Sequence, residues 1–148
     1  MLRSLFSLSF AKARLNRMTE PARKQPAAAR LIAVVDDDYR VLESLDDLLQ
    51  ASGYRTLLHT SAEALLESTA FGSVDALISD IGLPGMNGIE LLRIVRQSLA
   101  LPLPAILITG RSEPHLEQHA RALGVLRFFT KPFDTKELLD ALDHQFPS

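Results

Sequence analysis

The sequence predicts an α/β fold of five strand–helix repeats, (βα)5, with a doubly wound, five-stranded parallel sheet. Short segments that are apolar throughout alternate with segments whose apolar residues recur at helical spacing. The helical segments have ten residues or more, which is long enough for a crossover between parallel strands. Strands that are apolar throughout are expected to be buried on both sides, so helices should cover both faces of the sheet.

The first repeat begins with LIAVV, residues 31–35, a continuous apolar run that Asp36, Asp37 and Asp38 end. Such a run is typical of a buried strand. Apolar residues then recur at helical spacing over residues 41–52, up to a glycine that ends the helix. We expect Asp38 to begin this helix by capping its free amides.

The second repeat consists of a short strand, residues 54–59, and a helix over residues 61–70. Thr60 or Ser61 can cap this helix, and Gly72 lies just beyond its end. The third strand is DALISD, residues 75–80.

A loop rich in glycine and proline, IGLPGMNG, follows the third strand and leads into a helix over residues 89–99. AILIT, residues 105–109, is the fourth strand, and the fourth helix covers residues 113–123. The fifth strand covers residues 125–130 and the fifth helix residues 135–146. Asp134 and Glu137 have the spacing of a capping box at the start of this last helix.

Composition excludes several classes of function. The chain has 148 residues, which suits one domain, and no cysteine, which excludes disulfides and thiolate chemistry. Residues 1–30 carry seven basic and one acidic side chain, whereas residues 31–148 carry nine basic and seventeen acidic ones. The acidic body is a poor candidate for direct nucleic-acid binding, which requires clustered Lys and Arg.

We divide the chain into a basic tail, residues 1–30, and a folded domain, residues 31–148. A short signal peptide and an organellar transit peptide are alternative interpretations of the tail. We expect a disordered segment, or an upstream start codon with Met18 as the true first residue. No apolar run approaches 18 residues, so we expect no transmembrane segment and a cytoplasmic location.

Polar side chains follow four of the five predicted strands, and in a doubly wound sheet ligands bind where strands end. These residues are Asp36 with Asp37, Asp80, Thr109 and Lys131. Three converging carboxylates require a cation, and oxygen ligands favour Mg²⁺, with Mn²⁺ as an alternative. A carboxylate can also act as a nucleophile towards phosphorus. His59 ends the second strand, and we interpret it as a surface residue.

These motifs resemble those of response-regulator receiver domains, which implies a flavodoxin-like receiver fold. The matching stretches cover about residues 31–146: VVDDD, SDIGLPGMNG, LITG and FFTKPF. The resemblance implies that Asp80 accepts a phosphoryl group from a histidine kinase. It also implies that Asp36, Asp37, Asp80 and the backbone carbonyl of Gly82 hold Mg²⁺.

The resemblance assigns roles to further residues. Thr109 would be the switch hydroxyl, with the small Gly110 beside it, and Lys131 would contact the phosphoryl group before a cis bond to Pro132. Phe128 would be the aromatic residue that turns inward when Thr109 engages the phosphoryl group.

LITG and Phe128 resemble the FixJ/NarL-like branch, in which the face of helix 4, strand 5 and helix 5 can form a homodimer. Here that face would contain the following residues: Leu116, Glu117, His119 or Ala120, and Phe128. The implied partners are a histidine kinase or a histidine phosphotransfer protein, and an output partner that remains unknown.

Gly82 and Arg111 occupy the two positions that tune the lifetime of the phosphoryl group. Gly82 has no side chain to position water and Arg111 can cover the site, so we expect slow self-dephosphorylation. Such a protein is not an enzyme in the usual sense, because it catalyses only its own phosphorylation and dephosphorylation.

The sequence leaves two alternative functions open. One is a receiver fold that binds partners without phosphorylation. The other is a phosphatase of the HAD type with Asp36 as its nucleophile, which leaves Asp80 unexplained. Because FPS after the last helix provides no linker, we expect a stand-alone regulator.

Overall fold

A computed structural model describes residues 29–99, 102–111 and 113–147. The predicted basic tail lies outside the described residues except for its last two positions. Within the described ranges, no helix has the length and apolar character that a bilayer span requires.

The described residues form five strands and five α-helices that alternate along the chain. The strands are β1 (Leu31–Val35), β2 (Arg55–His59), β3 (Ala76–Asp80), β4 (Ala105–Thr109) and β5 (Arg127–Thr130). The helices are α1 (Tyr39–Ala51), α2 (Ala62–Glu67), α3 (Gly88–Ser98), α4 (Pro114–Ala122) and α5 (Thr135–Gln145).

The strands form one parallel sheet in the order β2-β1-β3-β4-β5, which confirms the predicted fold class. The chain order reverses between β1 and β3, so the crevice for ligands is expected at the carboxyl ends of these two strands. The register pairs Val35 with Ser79 and Asp80 with Ile108. The ends of β1, β3 and β4 therefore lie side by side.

Alternate residues of each central strand supply two separate cores, because successive side chains point to opposite faces of a sheet. Val35, Leu77 and Leu107 face α2, α3 and α4. On the other face, Val34 and Ile78 pack against α1 and α5. All five side chains are buried, which explains why these strands read as continuous apolar runs.

Two local predictions differ from the structure. The second helix ends at Glu67, and a 3-10 turn (Phe71–Ser73) follows it. The Ser68 hydroxyl accepts a hydrogen bond from the Ala70 amide, a local bond that competes with continued helix. The chain can then turn inward and bury Phe71.

The capping box predicted for α5 is confirmed for Asp134 but not for Glu137. Asp134 caps the helix by accepting a hydrogen bond from the Lys136 amide. Glu137 pairs instead with Arg127 on β5, at 3.3 Å. Asp38 and Ser61 act as caps as predicted, by accepting hydrogen bonds from the Arg40 and Ala64 amides.

We expect Gly88→Ala to destabilise the fold. A methyl group there would lie 2.3 Å from the Asp80 carbonyl oxygen, so the main chain that carries Asp80 must shift. Overpacking of this kind costs about 1–3 kcal/mol, which urea unfolding measures. Gly110→Ala is the matched control, since a methyl group there meets nothing within 4 Å. Equal unfolding midpoints for the two variants would contradict this account.

Candidate functional site

Three carboxylates meet at the carboxyl edge of the sheet. Asp36 follows β1, Asp80 ends β3, and each of these residues and Asp37 offers an oxygen within 4.8 Å of the other two. Asp36 and Asp80 are 2% and 6% exposed, whereas Asp37 faces solvent. The neighbouring positions of β1 and β3 in the sheet bring these distant residues together.

The Lys131 ammonium lies between the two buried carboxylates. Its Nζ donates to Asp36 Oδ2 at 2.9 Å and to Asp80 Oδ2 at 3.2 Å. The Lys131 amide donates to the Thr109 carbonyl, and the Lys131–Pro132 peptide bond is cis, as predicted. One positive charge therefore partly offsets the repulsion between the carboxylates.

The surroundings shift the pKa of two of these groups. Burial raises the pKa of Asp36, and the hydrogen bonds from the Asp38 amide and from Lys131 only partly oppose this rise. Burial by itself lowers the pKa of Lys131, but hydrogen bonds and charge from Asp36 and Asp80 outweigh it, so the net pKa is raised. Lys131 is therefore a cation at neutral pH.

Thr109 ends β4 and is only 2% exposed. Its Oγ1 accepts a hydrogen bond from the Arg111 amide at 3.1 Å, which leaves the hydroxyl hydrogen free to be donated. Gly110 beside it has open space where a side chain would stand. The β3–β4 register places Thr109 one position beyond the residue that pairs with Asp80.

The loop after β3 borders the same carboxylates. Gly82 is exposed, and its amide donates to Asp80 Oδ1 at 3.2 Å. Gly88, where α3 begins, packs directly against the Asp80 main chain. Two glycines of the predicted loop, Gly82 and Gly88, therefore lie where the backbone comes close to Asp80.

His59, predicted to be a surface residue, is only partly exposed. Its side chain is half-buried, and within the described ranges the buried Nε2 has no hydrogen-bond partner. Burial lowers the pKa of His59, which favours the neutral ring. The side chain does not belong to the group of oxygen ligands.

The residues predicted for the switch and the dimer face lie on α4 and β5. Phe128 is half-buried and packs against the core that includes α4. Leu116 and Glu117 are half-buried and His119 is exposed. Ala120 is fully buried, so it cannot belong to an outer face, because it lies on the side of α4 that packs on the sheet.

One contact near the site had no signal in the sequence. The Glu63 carboxylate on α2 accepts a hydrogen bond from the Met86 amide, which is 23 residues away. Residue type and spacing do not indicate a hydrogen bond between a side chain and a distant backbone amide.

The chain belongs to the family described as the response regulator receiver domain, the receiving module of two-component systems, which it matches over residues 32–143. It is 35% identical over 107 residues to the transcriptional regulatory protein FixJ of Bradyrhizobium diazoefficiens, covering 72% of this chain and 52% of that protein. It is also 35% identical over 112 residues to the response regulator protein TmoT of Ectopseudomonas mendocina, covering 76% and 50%. The chain thus spans about half the length of these curated relatives.

Solved structures agree with this assignment. The FixJ-N crystal structure is 31% identical, with a TM-score of 0.65, covering 77% of this chain and 90% of that chain. A putative response regulator from Chloroflexus aurantiacus is 30% identical, with a TM-score of 0.70, covering 78% and 96%. These likenesses make the FixJ/NarL-like branch plausible for this chain.

We expect Asp37→Asn to stabilise the metal-free protein, because it removes one of three mutually repelling charges. The gain should be about 1 kcal/mol or less, the Coulomb energy of one exposed pair at 4 Å in water. Thermal unfolding in the presence of a chelator measures it. Asp47→Asn is the control, since Asp47 is an exposed residue of α1 outside the carboxylate group. A metal-free Asp37→Asn protein that unfolds at a lower temperature than the wild type would contradict this expectation.

Proposed function

We propose that this receiver domain accepts a phosphoryl group on Asp80 from a phosphohistidine donor, in the presence of Mg²⁺, and thereby changes its affinity for a partner. The observation that carries the proposal is the Lys131 ammonium within hydrogen-bond distance of two buried carboxylates, Asp36 and Asp80. One ammonium serves two buried carboxylates, so Lys131 leaves one negative charge without compensation. Because uncompensated buried charge is costly, this arrangement favours a reactive rather than a structural role. Family membership supports the same reaction class.

In the proposed step, a carboxylate oxygen of Asp80 attacks phosphorus while the bond from phosphorus to the donor imidazole nitrogen breaks. The leaving imidazole takes up a proton, and an aspartyl phosphate remains. Asp80 suits the role of nucleophile because its two accepted hydrogen bonds are both 3.2 Å long. Lys131 and the hydroxyl hydrogen of Thr109 would bind phosphoryl oxygens and stabilise their charge during transfer.

The donor set fits Mg²⁺. Three carboxylates with no sulfur or imidazole among them provide the hard oxygen ligands that Mg²⁺ prefers, and Mn²⁺ would fit as well. Asp36, Asp37, Asp80 and the Gly82 carbonyl would hold the ion. When bound, it would neutralise carboxylate charge and the charge of the phosphoryl oxygens.

The hypothesis of a phosphatase with Asp36 as nucleophile is disfavoured. Both Asp36 oxygens accept hydrogen bonds of 2.9 Å, from the Asp38 amide and from Lys131. The carboxylate is also 2% exposed. Whichever Asp36 oxygen attacked a substrate, it would weaken a hydrogen bond shorter than either bond of Asp80.

Phosphorylation would be read out at the face of α4, β5 and α5. Engagement of Thr109 by the phosphoryl group would favour an inward position of Phe128, which is a shift between two packings. The partners would be a histidine kinase or a histidine phosphotransfer protein, with a cytoplasmic location, and α4 and β5 would provide a homodimer contact. FixJ carries the name of a transcriptional regulator, but the acidic body argues against direct DNA contact by this domain.

We expect the wild-type protein to gain one phosphoryl mass when it is incubated with acetyl phosphate and Mg²⁺, as measured by intact mass spectrometry. Asp80→Asn should gain none, because the amide is a poor nucleophile. Asp37→Ala should lose the Mg²⁺-dependent reaction while keeping its fold. Asp47→Asn serves as the control.

Absence of any gain on the wild type, with both acetyl phosphate and a histidine kinase as donors, would contradict the proposal. It would favour a binding module that works without phosphorylation.

We expect the phosphorylated protein to lose its phosphoryl group slowly, over many minutes or longer. Gly82 offers no side chain to orient an attacking water, and Arg111 is exposed beside Thr109. Phosphate release from the isolated phosphoprotein measures the rate. A half-life of seconds would contradict the expected roles of these two residues.

A further inference from the structure

We infer that Glu63 is a positioning residue: it anchors the loop between β3 and α3 and thereby fixes the Gly82 carbonyl towards Mg²⁺. This inference rests on the proposed function. Glu63 lies in the first turn of α2 and is not one of the three clustered carboxylates.

The anchor is one hydrogen bond between two elements. Glu63 Oε1 accepts from the Met86 amide at 2.7 Å. Among the described residues, this is the only hydrogen bond from the loop tip, residues 84–86, to another element, and the Met86 side chain also packs on the core. The hydrogen bond from the Met86 amide is the main reason why the pKa of Glu63 is lowered. Glu63 is therefore ionised at neutral pH, and an ionised acceptor forms a stronger hydrogen bond than a neutral one.

Gly85 shows how closely the loop and the carboxylate fit. Its φ is +75°, which favours glycine. A methyl group at this position would also lie 2.9 Å from Glu63 Oε1. A side chain at position 85 would therefore have to displace the Glu63 carboxylate from its present place.

The other end of the loop is held by β3. The Leu83 and Gly88 amides both donate to the Ile81 carbonyl, and Leu83 is buried. The Gly82 amide donates to Asp80. The loop is thus held by hydrogen bonds both near β3 and at its tip. The exposed Gly82 therefore has little freedom to turn its carbonyl away from the carboxylates. Loss of the tip bond would release that freedom.

The test is a Mg²⁺ titration of the ¹⁵N-labelled full chain by NMR, with hydrogen exchange of the Met86 amide as a second readout. Glu63→Ala should bind Mg²⁺ about fivefold more weakly, the value of one lost hydrogen bond. Its Met86 amide should exchange faster than in the wild type. Glu63→Gln should stay within about twofold, because it keeps the acceptor oxygen and loses only the charge.

Glu67→Ala is the matched control, since Glu67 is an exposed acid at the other end of α2. Its Mg²⁺ affinity should equal that of the wild type. Wild-type affinity and unchanged Met86 exchange in Glu63→Ala would overturn the inference while leaving the proposed function intact. Equal losses in Glu63→Gln and Glu63→Ala would also overturn it, because charge rather than anchoring would then be responsible. A wild type that binds no Mg²⁺ would overturn the inference and the proposed function together.

Discussion

The pairing of one ammonium with two buried carboxylates is the constraint on which the rest of this structure depends. Asp36 and Asp80 are almost fully buried. An unpaired charge at either position would destabilise the fold by several kcal/mol. Lys131 reaches both from the end of β5. The carboxyl ends of β1, β3 and β5 must therefore stay in fixed relative positions.

The sheet provides that rigidity. Its central strands are buried on both faces by two separate cores, and close-packed interiors resist local displacement. The edge above the sheet is different, because exposed glycines, Gly82 and Gly110, adjoin Asp80 and Thr109. A rigid sheet with an adaptable edge suits a site whose surroundings must adjust when a carboxylate is modified. In the loop that follows Gly82, the Met86 amide donates a hydrogen bond to Glu63.

Much of this arrangement follows from the sequence because it depends on local patterns. Continuous apolar runs predict strands buried on both sides, and helical spacing predicts the covering helices. Polar residues directly after those runs, such as Asp36, Asp80 and Thr109, predict a site at the carboxyl edge, since parallel strands end together. The confirmed helix start at Asp38 also has a local cause, because a cap needs only a residue and the next turn.

Only the tertiary structure decided the contacts and burial that depend on residues distant in sequence. Glu137 was predicted to complete a capping box with Asp134, but it pairs with Arg127 on β5. His59 was predicted to be a surface residue, and the packing around it buries only part of its ring, including Nε2. Ala120 faces the core rather than the outer face of α4. The Glu63 anchor joins residues 23 positions apart. For Glu137 and Glu63, three-dimensional proximity selects the hydrogen-bond partner, and no spacing along the chain encodes it.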